Sequence, residues 1–221
     1  AIELNPDYGN AYSNLGNILC DQGKLQEAEV SYRKAIELNP DFVNAYSNLG
    51  SILREQGKLQ EAEVSTRKAI ELNPNFVNAY SNLGNILKDQ GKLQEAEVAY
   101  RKAIEIDPNF VNAYSNLGNI LKDQGKLQEA EVAYHKAIEL NPDFANAYSS
   151  LGSILQEQGK LQEAEISTRK AIELNPDFAD AYSNLGNILS DQGKLQEAEV
   201  AYHKAIELNP DFADAYFLSL I

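Results

Sequence analysis

The sequence predicts an all-α solenoid of antiparallel helix pairs, and three observations predict it. The seven prolines, Pro6, Pro40, Pro74, Pro108, Pro142, Pro176 and Pro210, follow one another at 34-residue intervals. Twelve of the 13 glycines fall on the same period as two per unit, from Gly16/Gly23 to Gly186/Gly193, with Gly9 the stray. Apolar residues recur at spacings of three and four, and no segment alternates with period two. A period of this size belongs to stacked units, none of which can bury its apolar face alone.

Residues 43–76 show how one unit is built. Ala45, Tyr46, Leu49, Ile52 and Leu53 mark the apolar stripe of a first helix, and Leu59, Ala62, Thr66, Ala69 and Ile70 that of a second. Gly57 stands between them and suits the left-handed conformation that closes a helix C-terminus. Asn73-Pro74 ends the second helix, because proline has no N–H and its predecessor avoids the α region. Gly50 sits inside the first helix, where glycine costs about 1 kcal/mol against alanine. Its recurrence as Leu-Gly in each unit predicts an approach too close for a Cβ, with Ala62 and Ala69 as the facing small residues.

The period frames full repeats at 9–42, 43–76, 77–110, 111–144, 145–178 and 179–212, with partial repeats at 1–8 and 213–221. The chain opens inside the pattern and reads as a piece of a longer array. A superperiod is present: Ser65–Lys68 and Ser167–Lys170 both read Ser-Thr-Arg-Lys, 102 residues apart. A block of three repeats has been duplicated with little drift, or the uniformity is consensus-like.

Composition excludes several function classes. A net charge of −14 disfavours nucleic acid and anionic membranes as partners. No run approaches the roughly 20 apolar residues that span a bilayer. A single cysteine, Cys20, forms no disulfide framework and reads as an ordinary surface thiol, and two histidines, His135 and His203, leave little for metal or acid–base work. No phosphate loop or nucleophile elbow exists. The expectation is a non-enzymatic chain with no cofactor and no metal. Glu61 and Glu63, which recur in every unit, read as a solvated face.

The pattern Tyr80-x2-Leu83-Gly84-x2-Leu87, then Ala96-x3-Tyr100-x2-Ala103, then Pro108, resembles the tetratricopeptide repeat (TPR). Asn-Ala-Tyr-Ser-Asn-Leu-Gly and Gly-Lys-Leu-Gln-Glu-Ala are similar to the repeats of O-GlcNAc transferases and of bacterial multi-repeat TPR proteins. The chain departs from the family at the first aromatic site, which is Tyr rather than Trp, at Leu87, and at Thr66 and Thr168, which replace a second-helix aromatic. The resemblance implies a right-handed superhelix whose first helices line a concave groove that takes protein or peptide segments.

Candidate groove residues follow from helical spacing. Asn14, Asn48, Asn82, Asn116 and Asn184 form one ladder, with Ser150 in the fifth repeat. Asn17, Asn85, Asn119 and Asn187 form a second, with Ser51 and Ser153 interposed. Asn44, Asn78, Asn112 and Asn146 belong to a third, which begins at Asn10 and continues as Asp180 and Asp214. A serine ladder runs from Ser13 through Ser47 to Ser183. Asparagine is a mediocre helix former, so a plain solvated face would use Glu, Lys or Gln. A carboxamide offers both donors and an acceptor, and can grip a peptide backbone without reading its sequence. The rival reading is that these residues were copied by duplication, or bond between neighbouring repeats.

Charge varies along this face. Arg54, Lys88 and Lys122 each precede an acid and cancel it, whereas repeats 5 and 6 lack the base and gain Asp180, so the C-terminal groove is expected to be negative. The terminal segment 213–221, with Phe217, Leu218, Leu220 and Ile221, predicts head-to-tail self-association. The chain reads as cytoplasmic. Two alternatives stand beside the binding scaffold: the substrate-presenting arm of a larger O-GlcNAc-type glycosyltransferase, and a self-assembling or consensus-like structural array.

Overall fold

The computed structural model describes residues 9–210. The terminal segments invoked above for self-association, and Asp214 with them, lie outside the described residues. The described chain is a succession of α-helices: α1 (Gly9–Asp21), α2 (Leu25–Leu38), α3 (Val43–Glu55), α4 (Leu59–Leu72), α5 (Val77–Asp89), α6 (Leu93–Ile106), α7 (Val111–Asp123), α8 (Leu127–Leu140), α9 (Ala145–Glu157), α10 (Leu161–Leu174), α11 (Ala179–Asp191) and α12 (Leu195–Leu208). Odd-numbered helices are the first and even-numbered the second member of each antiparallel pair. The chain divides into two compact units, and the division falls between Ala113 and Tyr114 inside α7.

The punctuation has the physical form expected of it. Gly57 has φ +74°. Its N–H donates to the Arg54 carbonyl at 2.9 Å and the Lys58 N–H to the Leu53 carbonyl at 2.8 Å. That pair of bonds is a Schellman closure, which satisfies the last carbonyls of α3. At the other turn the Asn73 carboxamide oxygen accepts from the Asn75 N–H at 3.0 Å, folding the Asn-Pro corner back on itself.

In the first unit α1 packs on α2, α3 on α4 and α5 on α6, with α2 against α3 and α4 against α5. In the second unit α9 packs on α10 and α11 on α12, with α8 against α9 and α10 against α11. The core is the predicted stripe: Ala45, Leu49, Ile52, Leu53, Ala62 and Ala69 are all buried, while Tyr46 is half-buried. Thr66 and Thr168 are fully buried, as the aromatics they replace are in Tyr100 and Tyr134.

The helical glycine is explained differently from the sequence reading. A Cβ built on Gly84 would lie 2.6 Å from the Tyr100 ring, and one on Gly186 would lie 2.6 Å from the Tyr202 ring. On Gly50 it would meet Thr66 Oγ1, and the Ala62 carbonyl at 3.2 Å. The glycine therefore makes room for the second-helix residue at the Tyr/Thr position. Ala62 contributes backbone, and Ala69 is not among the nearest neighbours.

Candidate functional site

Each first helix presents its non-core residues on one face, and the asparagines there differ in what their carboxamides do. Asn85 is held from below. The Tyr100 hydroxyl donates to Asn85 Oδ1 at 2.7 Å after its ring has crossed Gly84. The same 2.7 Å bond joins Tyr32 to Asn17, Tyr134 to Asn119, and Tyr202 to Asn187. Burial pushes the Tyr100 phenol well above its ordinary range and the Tyr134 phenol up to about 12. These groups stay protonated, so they act as donors.

The neighbouring ladder is turned the other way. Asn82 Nδ2 donates to Ser47 Oγ of the preceding repeat at 3.1 Å, and Asn184 Nδ2 to Ser149 Oγ at 3.1 Å. Asn48 Nδ2 donates to Asn17 Oδ1 at 3.1 Å, since the first repeat has an asparagine within reach there. Asn82 and Asn48 thus use an Nδ2 donor between repeats. Asn116 is half-buried like Asn82, and Asn14 is exposed. The third ladder, Asn44, Asn78, Asn112 and Asn146 with Asp180, is exposed throughout.

Three sequence expectations are corrected. The serine ladder does not line the face: Ser13, Ser47, Ser81, Ser115 and Ser149 are buried, and Ser47 and Ser149 are covered by Asn82 and Asn184 of the next first helix. Glu63 is not a solvated residue. It accepts from Arg67 at 2.8 Å and from Lys92 of the following repeat at 3.0 Å, and only 17% of its side chain is exposed. Glu29, Glu131 and Glu165 hold the same place; Lys194 and Arg169 keep the Glu165 carboxyl down at about 2 against the cost of burial. Glu61, by contrast, is exposed. Cys20 is half-buried, with Sγ 3.5 Å from the Tyr32 hydroxyl, rather than an open surface thiol.

Groove-side charge cancels diagonally. Arg54 pairs with Asp89 of the next repeat at 2.6 Å, not with Glu55 beside it. Lys122 pairs with Glu157 at 3.1 Å and donates to Ser153 Oγ at 2.7 Å. Lys88 is exposed, as are Asp123, Asp180 and Asp191. Gln156 stands where repeats 2, 3 and 4 have a cation, and it donates to Asp191 at 2.7 Å.

A second surface escaped the sequence reading. Val30, Val64 and Val98 in the first unit, and Val132, Ile166 and Val200 in the second, are 67–71% exposed on the second helices. Beside Val64 lies a furrow of about 460 Å³ over Tyr46, Leu49 and Leu53, bounded by Arg33 and Lys68. The 34-residue recurrence of these aliphatics was visible; their outward direction needed the packing of the pair.

Among the described residues no group of three His, Cys, Asp or Glu could hold a metal ion, and no helix is long and apolar enough to cross a membrane. His135 and His203 are exposed.

Comparison with known proteins fits this geometry. No curated protein matches the chain. Among solved structures it is similar to YrrB, described as a TPR protein with an unusual peptide-binding site, at 27% identity and a TM-score of 0.66 over 86% of this chain and 98% of that one. It is also similar in fold to PilW, a type IV pilus biogenesis factor, at 20% identity and a TM-score of 0.86 over 96% of this chain and 98% of that one. PilF of Pseudomonas aeruginosa has a TM-score of 0.81 at 20% identity, over 91% of this chain and 92% of that one. These likenesses carry the TPR identity and do not single out O-GlcNAc transferases. The family described as the cilia and flagella-associated protein 70 C-terminal domain matches residues 8–216. The chain is a tetratricopeptide-repeat protein and belongs to that family.

Proposed function

We propose that this chain is a non-enzymatic scaffold that holds an extended protein segment on the asparagine face of its first helices. The observation that carries the reading is the fixed orientation of that face. Carboxamides that a merely tolerated surface would leave free are clamped by second-helix tyrosines and by neighbouring repeats. A group held in place before binding loses less entropy on binding. Asn44, Asn78, Asn112, Asn146 and Asp180, which are exposed, extend the same face. YrrB, for which a peptide-binding site is described, is 27% identical and supports a protein-interaction role. TPR scaffolds of this kind are typically non-catalytic, and a cytoplasmic setting belongs to the same proposal.

The test is a peptide-binding screen on the full chain, followed by Asn48→Ala, Asn82→Ala and Asn85→Ala combined. Alanine is a strong helix former, so helicity should hold while binding falls by more than any single change. Unchanged binding by a folded triple variant contradicts the proposal. A Val64→Asp control, on the other surface, should leave binding as it is.

A further inference from the structure

We propose that in the third and sixth repeats the asparagine pair reads the N–H and C=O of one residue of the bound segment with a fixed polarity, and that Tyr100 and Tyr202 are positioning residues that set it. This rests on the asparagine face being the binding face. In α5, Asn82 has its Nδ2 committed to Ser47, so Oδ1 is left as an outward acceptor. Asn85 has its Oδ1 committed to Tyr100, so Nδ2 is left as an outward donor. The two lie three residues apart on one helix face, about 5–6 Å between Cβ atoms. In α11, Asn184 and Asn187 repeat the arrangement with Ser149 and Tyr202 as their partners.

An extended residue presents its N–H and its C=O on the same edge of the chain. Its N–H meets the Asn82 acceptor and its C=O the Asn85 donor. In the reverse order the bound residue has to share Asn82 Nδ2 with Ser47 and Asn85 Oδ1 with Tyr100, or rotate a carboxamide away from the partner that holds it. The bound chain therefore takes one direction along the face, which a pair of freely rotating amides would not impose.

The chain withdraws both parts together elsewhere. In the second and fifth repeats Thr66 and Thr168 replace the tyrosine, and Ser51 and Ser153 replace the asparagine it would hold. Thr66 Oγ1 and Thr168 Oγ1 are buried without a hydrogen-bond partner. They pack on Gly50 and Gly152 and do not reach the face. In the second unit Ser153 Oγ instead accepts from Lys122. Polarity is read at the third and sixth repeats and skipped at the threonine repeats.

The experiment uses the full chain and uncharged peptides of Ala, Ser and Thr with blocked ends, titrated into charge-matched variants. Asn85→Asp keeps an acceptor for Tyr100 and loses the outward donor, so affinity should fall about tenfold. Asn82→Asp still presents an acceptor to the ligand and should cost clearly less. Asn85→Ser, the residue that repeat 2 carries at the same site, covers the case in which Asn85→Asp fails to fold. Tyr100→Phe should weaken binding severalfold while its ring keeps its place, and should cost nothing more in an Asn85→Ala background, although melting falls in both. Equal losses for Asn82→Asp and Asn85→Asp, or the reverse order, overturn the polarity. A wild-type chain that binds none of these peptides overturns the binding face itself, and the polarity with it.

Discussion

The Tyr100 hydroxyl donates to Asn85 at 2.7 Å by passing its ring over the bare Cα of Gly84. One residue from the second helix thus fills the core contact and orients a side chain on the far face of the first helix. The glycine, the tyrosine and the asparagine are a single device.

Gly84→Ala tests the packing end of that device. Helix propensity favours alanine by about 1 kcal/mol. The new Cβ would sit 2.6 Å from ring carbons of a fully buried tyrosine, however, and overpacking of this kind costs about 1–3 kcal/mol. The variant should melt below wild type. Adding Tyr100→Ala should give a loss smaller than the sum of the two, because the second change removes the atoms the first one meets. A Gly84→Ala variant that melts at or above the wild-type temperature would refute the close contact.

Repeat position was legible in the sequence because proline and glycine act locally. The Schellman closure at Gly57 and the Asn-Pro corner at Asn73 follow from backbone chemistry alone. What lay on the face was legible only as a periodicity. Ser47 and Asn48 are adjacent and both polar, yet one is covered by the next helix and the other is not. That difference depends on how neighbouring repeats stack. The same holds for Glu61 and Glu63, where only the second meets a lysine from the following repeat. The exposed aliphatic ladder of Val30, Val64 and Val98 lies outside the stripe of Leu59, Ala62, Thr66, Ala69 and Ile70, and its exposure depends on which helix faces the pairs bury.

Stability should depend on acid through the ion pairs between repeats. Lys194 first, and then Arg169, hold Glu165 at about 2, below its ordinary 4.5. A depressed carboxyl contributes stability that is present above its unfolded value. That contribution is lost as pH falls from 4.5 towards 2. Lys194→Gln should lower stability at neutral pH by under about 1 kcal/mol, since the pair is partly exposed, and should flatten the loss across this window. Urea melts at stepped pH check it; a variant with the wild-type slope refutes the linkage.

The tyrosine clamps make the opposite prediction in base. The Tyr134 phenol is raised by burial to about 12 from 10. Its contribution is therefore intact below pH 10 and is lost as pH climbs through 12. Tyr134→Phe should lower stability at neutral pH by about 1 kcal/mol and remove part of the alkaline loss. Phenolate absorbance recorded alongside melting should show this group ionising only as the fold opens.

Charge on the face predicts a local preference. In the second unit Asp180 and Asp191 are exposed, and Gln156 stands where repeats 2, 3 and 4 carry a cation. Basic peptides should bind there more tightly than acidic ones and should weaken as salt rises past the roughly 10 Å screening length of 0.1 M. Asp180→Asn should reduce that salt dependence. A preference for acidic peptides would contradict the charge assignment.

The measurement that bears most directly on the binding face is side-chain amide NMR on the full chain, with asparagine labelled, during titration with a binding peptide. The account predicts that the Nδ2 signals of Asn82, Asn85, Asn184 and Asn187 shift while the methyl groups of Val64 and Val98 stay where they are. Shifts confined to Val64, Val98 and the furrow over Leu49 and Leu53, with the asparagine amides unmoved, would place binding on the second helices and contradict it.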